Sequence, residues 1–225
     1  MTEPRPLRAV SEGTIEVPRT ARYFTIGDDR DSVDELWFVL HGFGQLAREF
    51  VQFFGDVAER GRLVVAPEAL NRYYAAGSTS VPAAERTVGA TWMTREDRQN
   101  EIKDYVRYLD LLHERFAAKH ARARTVVVGF SQGGATASRW AMLGRTRIDQ
   151  LILWGATVPP DASLNAGALR GAALTIVVGR GDQYVTPSVL AAERARLVAA
   201  GLTVDVVEYD GGHSIKRAVL KTLAT

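Results

Sequence analysis

The chain has no cysteine among its 225 residues. That excludes disulfides, thiolate metal sites and a cysteine nucleophile, and it leaves the redox compartment open. Histidine is scarce, with four copies, so an imidazole base has to be one of His41, His113, His120 and His213. Neither sign of charge dominates, the formal net charge being +2. The densest basic stretch runs from Lys119 to Arg124, just before a strand-like run. It fits a solvated loop, and no nucleic-acid partner is expected. No apolar run approaches the length of a membrane span, and no N-terminal apolar stretch follows a basic region. The expectation is a soluble, cytoplasmic chain with no stable membrane insertion.

Internal repeats, low-complexity tracts and linkers are also missing, which points to one domain over residues 1–225. An apolar fraction of 46% is enough to fill a core of that size. Strand-like apolar runs occur at Leu36–Leu40, Leu63–Ala66, Thr125–Phe130, Leu151–Trp154, Leu174–Val178 and Thr203–Val207. Most are apolar on both faces, as in a parallel sheet covered on both sides by helices. Thr14–Val17 and Arg22–Ile26 could add an antiparallel edge. A long helix is predicted from about Arg95 to Lys119, with Ile102, Tyr105, Val106, Leu109, Leu112 and Phe116 on one face. Thr186-Pro187 announces another, closed near Gly201. Together these predict an α/β fold with a mostly parallel central sheet. Between Pro67 and Thr94 no steady period is visible, yet aromatic residues are dense. Such a stretch reads as a candidate lid or substrate-binding loop.

One strand ends in Gly129-Phe130-Ser131-Gln132-Gly133-Gly134. This is G-x-S-x-G between a strand and a helix, a pattern that lifts the Ser131 hydroxyl clear of the sheet on a sharp turn. Glycines at 129 and 133 let neighbouring backbone pack close to it. A serine needs a base. His113 and His120 read as surface or boundary residues, and His41 opens a separate glycine-flanked turn. His213, in Gly211-Gly212-His213-Ser214, follows the last strand on the edge where chemistry gathers in open α/β sheets. An orienting acid between Ser131 and His213 could be Asp161, Asp182, Asp205 or Asp210. Asp182 is preferred because it follows directly on a strand end, with Asp210 its competitor. Backbone N–H groups of Gln132 and of Phe43, in His41-Gly42-Phe43-Gly44, are the expected oxyanion donors. Tyr73, Tyr74, Trp92, Met93 and Trp154 either wall a substrate pocket or seal loops onto the core.

The segments Leu40–Gly44, Gly129–Gly134, Gly181-Asp182 with Thr186-Pro187, and Gly212-His213 resemble the carboxylesterase, lysophospholipase and acyl-protein thioesterase group of α/β-hydrolases. The resemblance covers about residue 35 to the end, and Phe130–Gly134 is its most specific piece. It implies hydrolysis of a small-molecule ester or thioester through an acyl-enzyme, with no metal or organic cofactor. Family members often carry Trp-Phe-Asp where this chain reads Ala90-Thr91-Trp92-Met93-Thr94, so substrate choice is where the resemblance thins. The same triad serves peptidases and lactonases, and a hydrolase fold can also serve a non-catalytic binding protein.

Overall fold

Strands β2 (Glu35–Leu40), β3 (Arg62–Pro67), β6 (Arg124–Phe130), β7 (Gln150–Trp154), β8 (Ala173–Gly179) and β9 (Val204–Tyr209) pair in parallel. β1 (Tyr23–Ile26) runs antiparallel against β3 at one edge. The resulting seven-stranded sheet has the order β1-β3-β2-β6-β7-β8-β9. The structure, a computed structural model, describes residues 10–224 except 28, 30–32, 60, 76–79, 166 and 170.

The apolar runs are buried on both faces, and alternate residues serve different cores. Leu36, Phe38, Leu40, Val127, Leu151, Leu153 and Ile176 pack against α2 (Arg98–Ala117), α3 (Gln132–Leu143) and α4 (Pro187–Ala199). Trp37, Val39, Val126, Val128, Ile152, Trp154 and Val177 face the other way. They meet α1 (Ala47–Phe50), its 3-10 continuation Val51–Phe54, and α5 (Arg217–Leu223). Each fully buried aliphatic or aromatic side chain contributes about 1.5–3 kcal/mol, so the two-sided pattern is what holds the sheet between its layers. As expected, α4 opens on Thr186, whose hydroxyl accepts from Val189 N, with Pro187 next.

Three sequence expectations change. Thr14–Val17 is exposed and forms no strand. Its ties run through side chains instead, Glu16 pairing with Lys103 and Arg107 on α2. α2 starts at Arg98, because Asp97 takes a left-handed φ of 46° that interrupts the helix before it. Inside the stretch from Pro67 to Thr94, β4 (Asn71–Tyr74) and β5 (Val88–Thr91) form an antiparallel pair. Val88-Gly89-Ala90-Thr91 carries too few large side chains to signal a strand by period.

A buried carboxylate ties α2 to the end of α3. Asp110 Oδ1 accepts from Trp140 Nε1 (2.9 Å), Thr146 N (3.1 Å) and Thr146 Oγ1 (2.9 Å), and Oδ2 accepts from Arg145 N (2.8 Å). Burial opposes its charge, but the donors prevail and hold the carboxyl below its ordinary range. The stabilisation is therefore present above the ordinary carboxylate pKa and is lost as pH falls through the lowered one. Asp110→Ala leaves the Trp140 and Thr146 donors unsatisfied and should cost about 3 kcal/mol in urea unfolding at neutral pH. The deficit should shrink in acid; one that stayed constant with pH would contradict the account.

Candidate active site

The register aligns the carboxyl ends of the central strands: Leu40 lies beside Gly129, Phe130 beside Trp154, and Gly179 beside Tyr209. The loops that follow carry Phe43, Ser131, Asp182 and His213 to one edge. Ser131 has φ 53° and ψ −118°, a strained conformation for a residue with a side chain. Its N–H is held by Trp154 O at 2.9 Å, and α3 begins at the next residue. The turn is possible because α3 leaves the sheet in direct backbone contact with β2. A methyl group on Gly133 would lie 2.2 Å from Leu40 O and 2.6 Å from His41 O.

His213 Nδ1 lies 2.7 Å from Asp182 Oδ2. Burial works against the Asp182 charge but is outweighed by the Val185 and Tyr184 amides on Oδ1 and by His213, so the carboxyl stays below its ordinary range. An ionised carboxylate only accepts. Nδ1 therefore carries the hydrogen, and Nε2 is left free to take a proton. The imidazole is wedged between Phe130, at 4.8 Å between ring centres, and Tyr184 at 4.7 Å. Beneath it lies Gly155, with φ 56°; a Cβ there would come within 2.8 Å of His213 Cε1 and 3.1 Å of Asp182 Oδ2. Ser131 is thus bound to the end of β7 and His213 sits on the very next residue of that strand's loop.

The rival acids are engaged elsewhere. Asp210 is exposed and paired with Arg180, while Asp161 is held between Arg98 and Arg139. The other histidines are engaged too. His41 is buried and accepts Ala69 N on Nε2 (3.1 Å) while Nδ1 donates to Gly42 O (2.8 Å); burial lowers its pKa and keeps it neutral. His120 is buried rather than at the surface and accepts Val33 N at 3.3 Å. His113 meets Thr125 Oγ1 at 3.0 Å.

In the loop after β2, Gly42 N donates to Gln45 Oε1 and Gly44 N to Ala90 O, each at 2.8 Å. Phe43 N, between them, has no such acceptor among the described residues. Gln132 N stands at the start of α3, where backbone N–H groups have no intrahelical partner. An oxygen carrying negative charge could be met by both.

A family model described as phospholipase/carboxylesterase matches residues 21–225. The chain belongs to this family. It is therefore a hydrolase of the esterase kind on the α/β-hydrolase fold. No functionally curated protein matches the sequence. Solved structures share the family's fold: a carboxylesterase from Mesorhizobium loti superposes with TM-score 0.68 at 21% identity, covering 90% of this chain and 93% of that one. Acyl-protein thioesterase 2 of Zea mays gives 0.65 at 16%, with 91% and 96% covered. The Bacillus cereus carboxylesterase gives 0.64 at 14%, with 91% and 92% covered.

The loop aromatics divide. Trp92 and Trp154 are fully buried. Trp92 Nε1 donates to His41 O at 2.8 Å, and Trp154 Nε1 lies 3.1 Å from Ser214 O. Both brace loops from behind. Tyr73 and Tyr74 lie on β4, Tyr73 stacked on Phe43 at 5.4 Å, and Met93 is half-buried against Arg139. The Gln132 side chain is a clamp. Its Nε2 donates to Thr91 Oγ1 and Met93 O (each 2.9 Å), and its Oε1 accepts Trp92 N (3.1 Å). Gly155 and this clamp were invisible in the sequence, since both act on distant segments. Gly155→Ala forces the imidazole and carboxylate to move and should lower kcat by about 10²-fold with the protein still folded. Steady-state esterase kinetics beside circular dichroism would test this, and wild-type kcat would refute it.

Proposed function

We propose that the chain is a serine esterase that works through an acyl-enzyme, with Ser131, His213 and Asp182 as its triad. The observation that supports this most is the 2.7 Å His213–Asp182 pair seated on Gly155, next to the strained Ser131 turn. Ser131 Oγ attacks the ester carbonyl carbon as His213 Nε2 takes its proton. Asp182 holds the tautomer and stabilises the imidazolium that forms. Charge on the carbonyl oxygen is met by the N–H groups of Phe43 and Gln132. Collapse of the tetrahedral intermediate expels the alcohol, which leaves with the proton from His213. Water, deprotonated by His213, then attacks the acyl carbon, and the acid departs as Ser131 regains its proton.

Tyr73, Tyr74 and Met93 wall the acyl side, Trp92 supports that wall from the core, and Trp154 braces the loop that carries His213. The chemistry is compatible with thioesters as well as oxygen esters, because the acyl-enzyme is the same.

A fluorophosphonate probe should label the protein stoichiometrically, and Ser131→Ala should lose both labelling and p-nitrophenyl acetate turnover. Absence of labelling in the folded parent would put the non-catalytic binding protein in its place. Asp182→Asn should fold normally and lose about 10⁴-fold in kcat, because the wrong tautomer then faces Ser131. Full activity in that variant would remove Asp182 from the triad.

A further inference from the structure

Three aromatic side chains stand more than half exposed among the described residues: Phe43, Tyr74 and Tyr184. Phe43 and Tyr184 follow the carboxyl ends of β2 and β8, on the edge that carries Ser131, and Tyr74 closes β4 in the segment after β3. Exposed aromatic rings grouped around a site mark a surface kept for an apolar ligand. Two of them already have partners on the ring face. Phe43 stacks on Tyr73, with 28° between planes, and the Arg86 guanidinium lies 5.3 Å over Tyr74. Tyr184 is different. Its contact is with the His213 imidazole, edge-on at 67°, and it remains 64% exposed.

The position of that ring is built in. Asp182 Oδ1 accepts the N–H of Tyr184 (2.8 Å) and of Val185 (3.0 Å), while Oδ2 of the same carboxylate meets His213. One carboxylate therefore sets the backbone of Tyr184 and the plane of the imidazole together. In ester cleavage, the imidazole delivers its proton to the departing alcohol oxygen. The substituent on that oxygen must then pass alongside the imidazole, on the ground that Tyr184 borders.

We propose that Tyr184 is a specificity-determining residue that binds the alcohol portion of the substrate and selects a flat, apolar group there. The inference rests on the esterase reading and deepens it. An aromatic alcohol gains an offset or edge-to-face contact with the phenol ring that a short alkyl alcohol lacks.

The test compares benzyl acetate with ethyl acetate, which share an acyl group and leave as alkoxides of similar basicity. The parent should favour the benzyl ester in kcat/KM. Tyr184→Ala should lower the benzyl-to-ethyl ratio about tenfold, chiefly through the KM of benzyl acetate. Tyr184→Phe, which keeps the ring, should retain the ratio. A ratio unchanged in Tyr184→Ala, or an equal loss for both esters, would overturn the proposal, the second outcome leaving Tyr184 as mere support for His213. Diisopropyl fluorophosphate separates the two readings. If Ser131 of the parent is labelled while the ratio fails to move, only the Tyr184 proposal falls. If the parent is not labelled, the esterase reading falls with it.

Discussion

Backbone packed on backbone, where α3 leaves the sheet, is the contact on which the candidate site depends. No side chain separates Gly133 from the carbonyl groups of Leu40 and His41. That proximity holds the start of α3 against the chain that leads from β2 into the loop carrying Phe43. A single methyl group on Gly133 would spread the two segments. The strain at Ser131 follows from the same contact, since the chain must turn from strand to helix within one residue. The buried sheet around it, held from both faces, keeps such a conformation in place.

Charge is handled by division of labour among a few polar groups. Asp182 uses one oxygen for His213 and the other for two backbone amides, so the carboxylate cannot swing away from the imidazole without breaking its own loop. His41 shows the opposite use of the same residue type. With both ring nitrogens committed and burial opposing charge, it ties the loop after β2 to the chain after β3. Glu68 lies next to that joint. Its buried carboxylate accepts Ala47 N as well as Arg22 and Arg72, anchoring the start of α1 beneath the loop.

Much of this was legible in the chain. Strands buried on both faces announce themselves as unbroken apolar runs, and each predicted run of the parallel sheet lies within an observed strand or overlaps it closely. Strand ends alone favoured Asp182 over Asp210; Asp182 lies against His213, while Asp210 faces solvent beside Arg180. The β4–β5 pair escaped notice because glycine and alanine give strand β5 no side-chain period. Thr14–Val17 misled because, among the described residues, it pairs with no strand and is tied to α2 by the ion pairs of Glu16.

The order of Ser131, Asp182 and His213 along the chain, the glycines that flank two of them and the two-faced sheet were determined by sequence, because these properties are local: a turn, a period, a strand end. Tertiary structure alone decided that Gly155 is the floor under the imidazole, that the Gln132 side chain clamps residues 91–93, and that Trp92 is core while Tyr184 is surface. Those outcomes depend on segments far apart in the chain coming within a few ångströms. Neither composition nor period encodes which of them will meet.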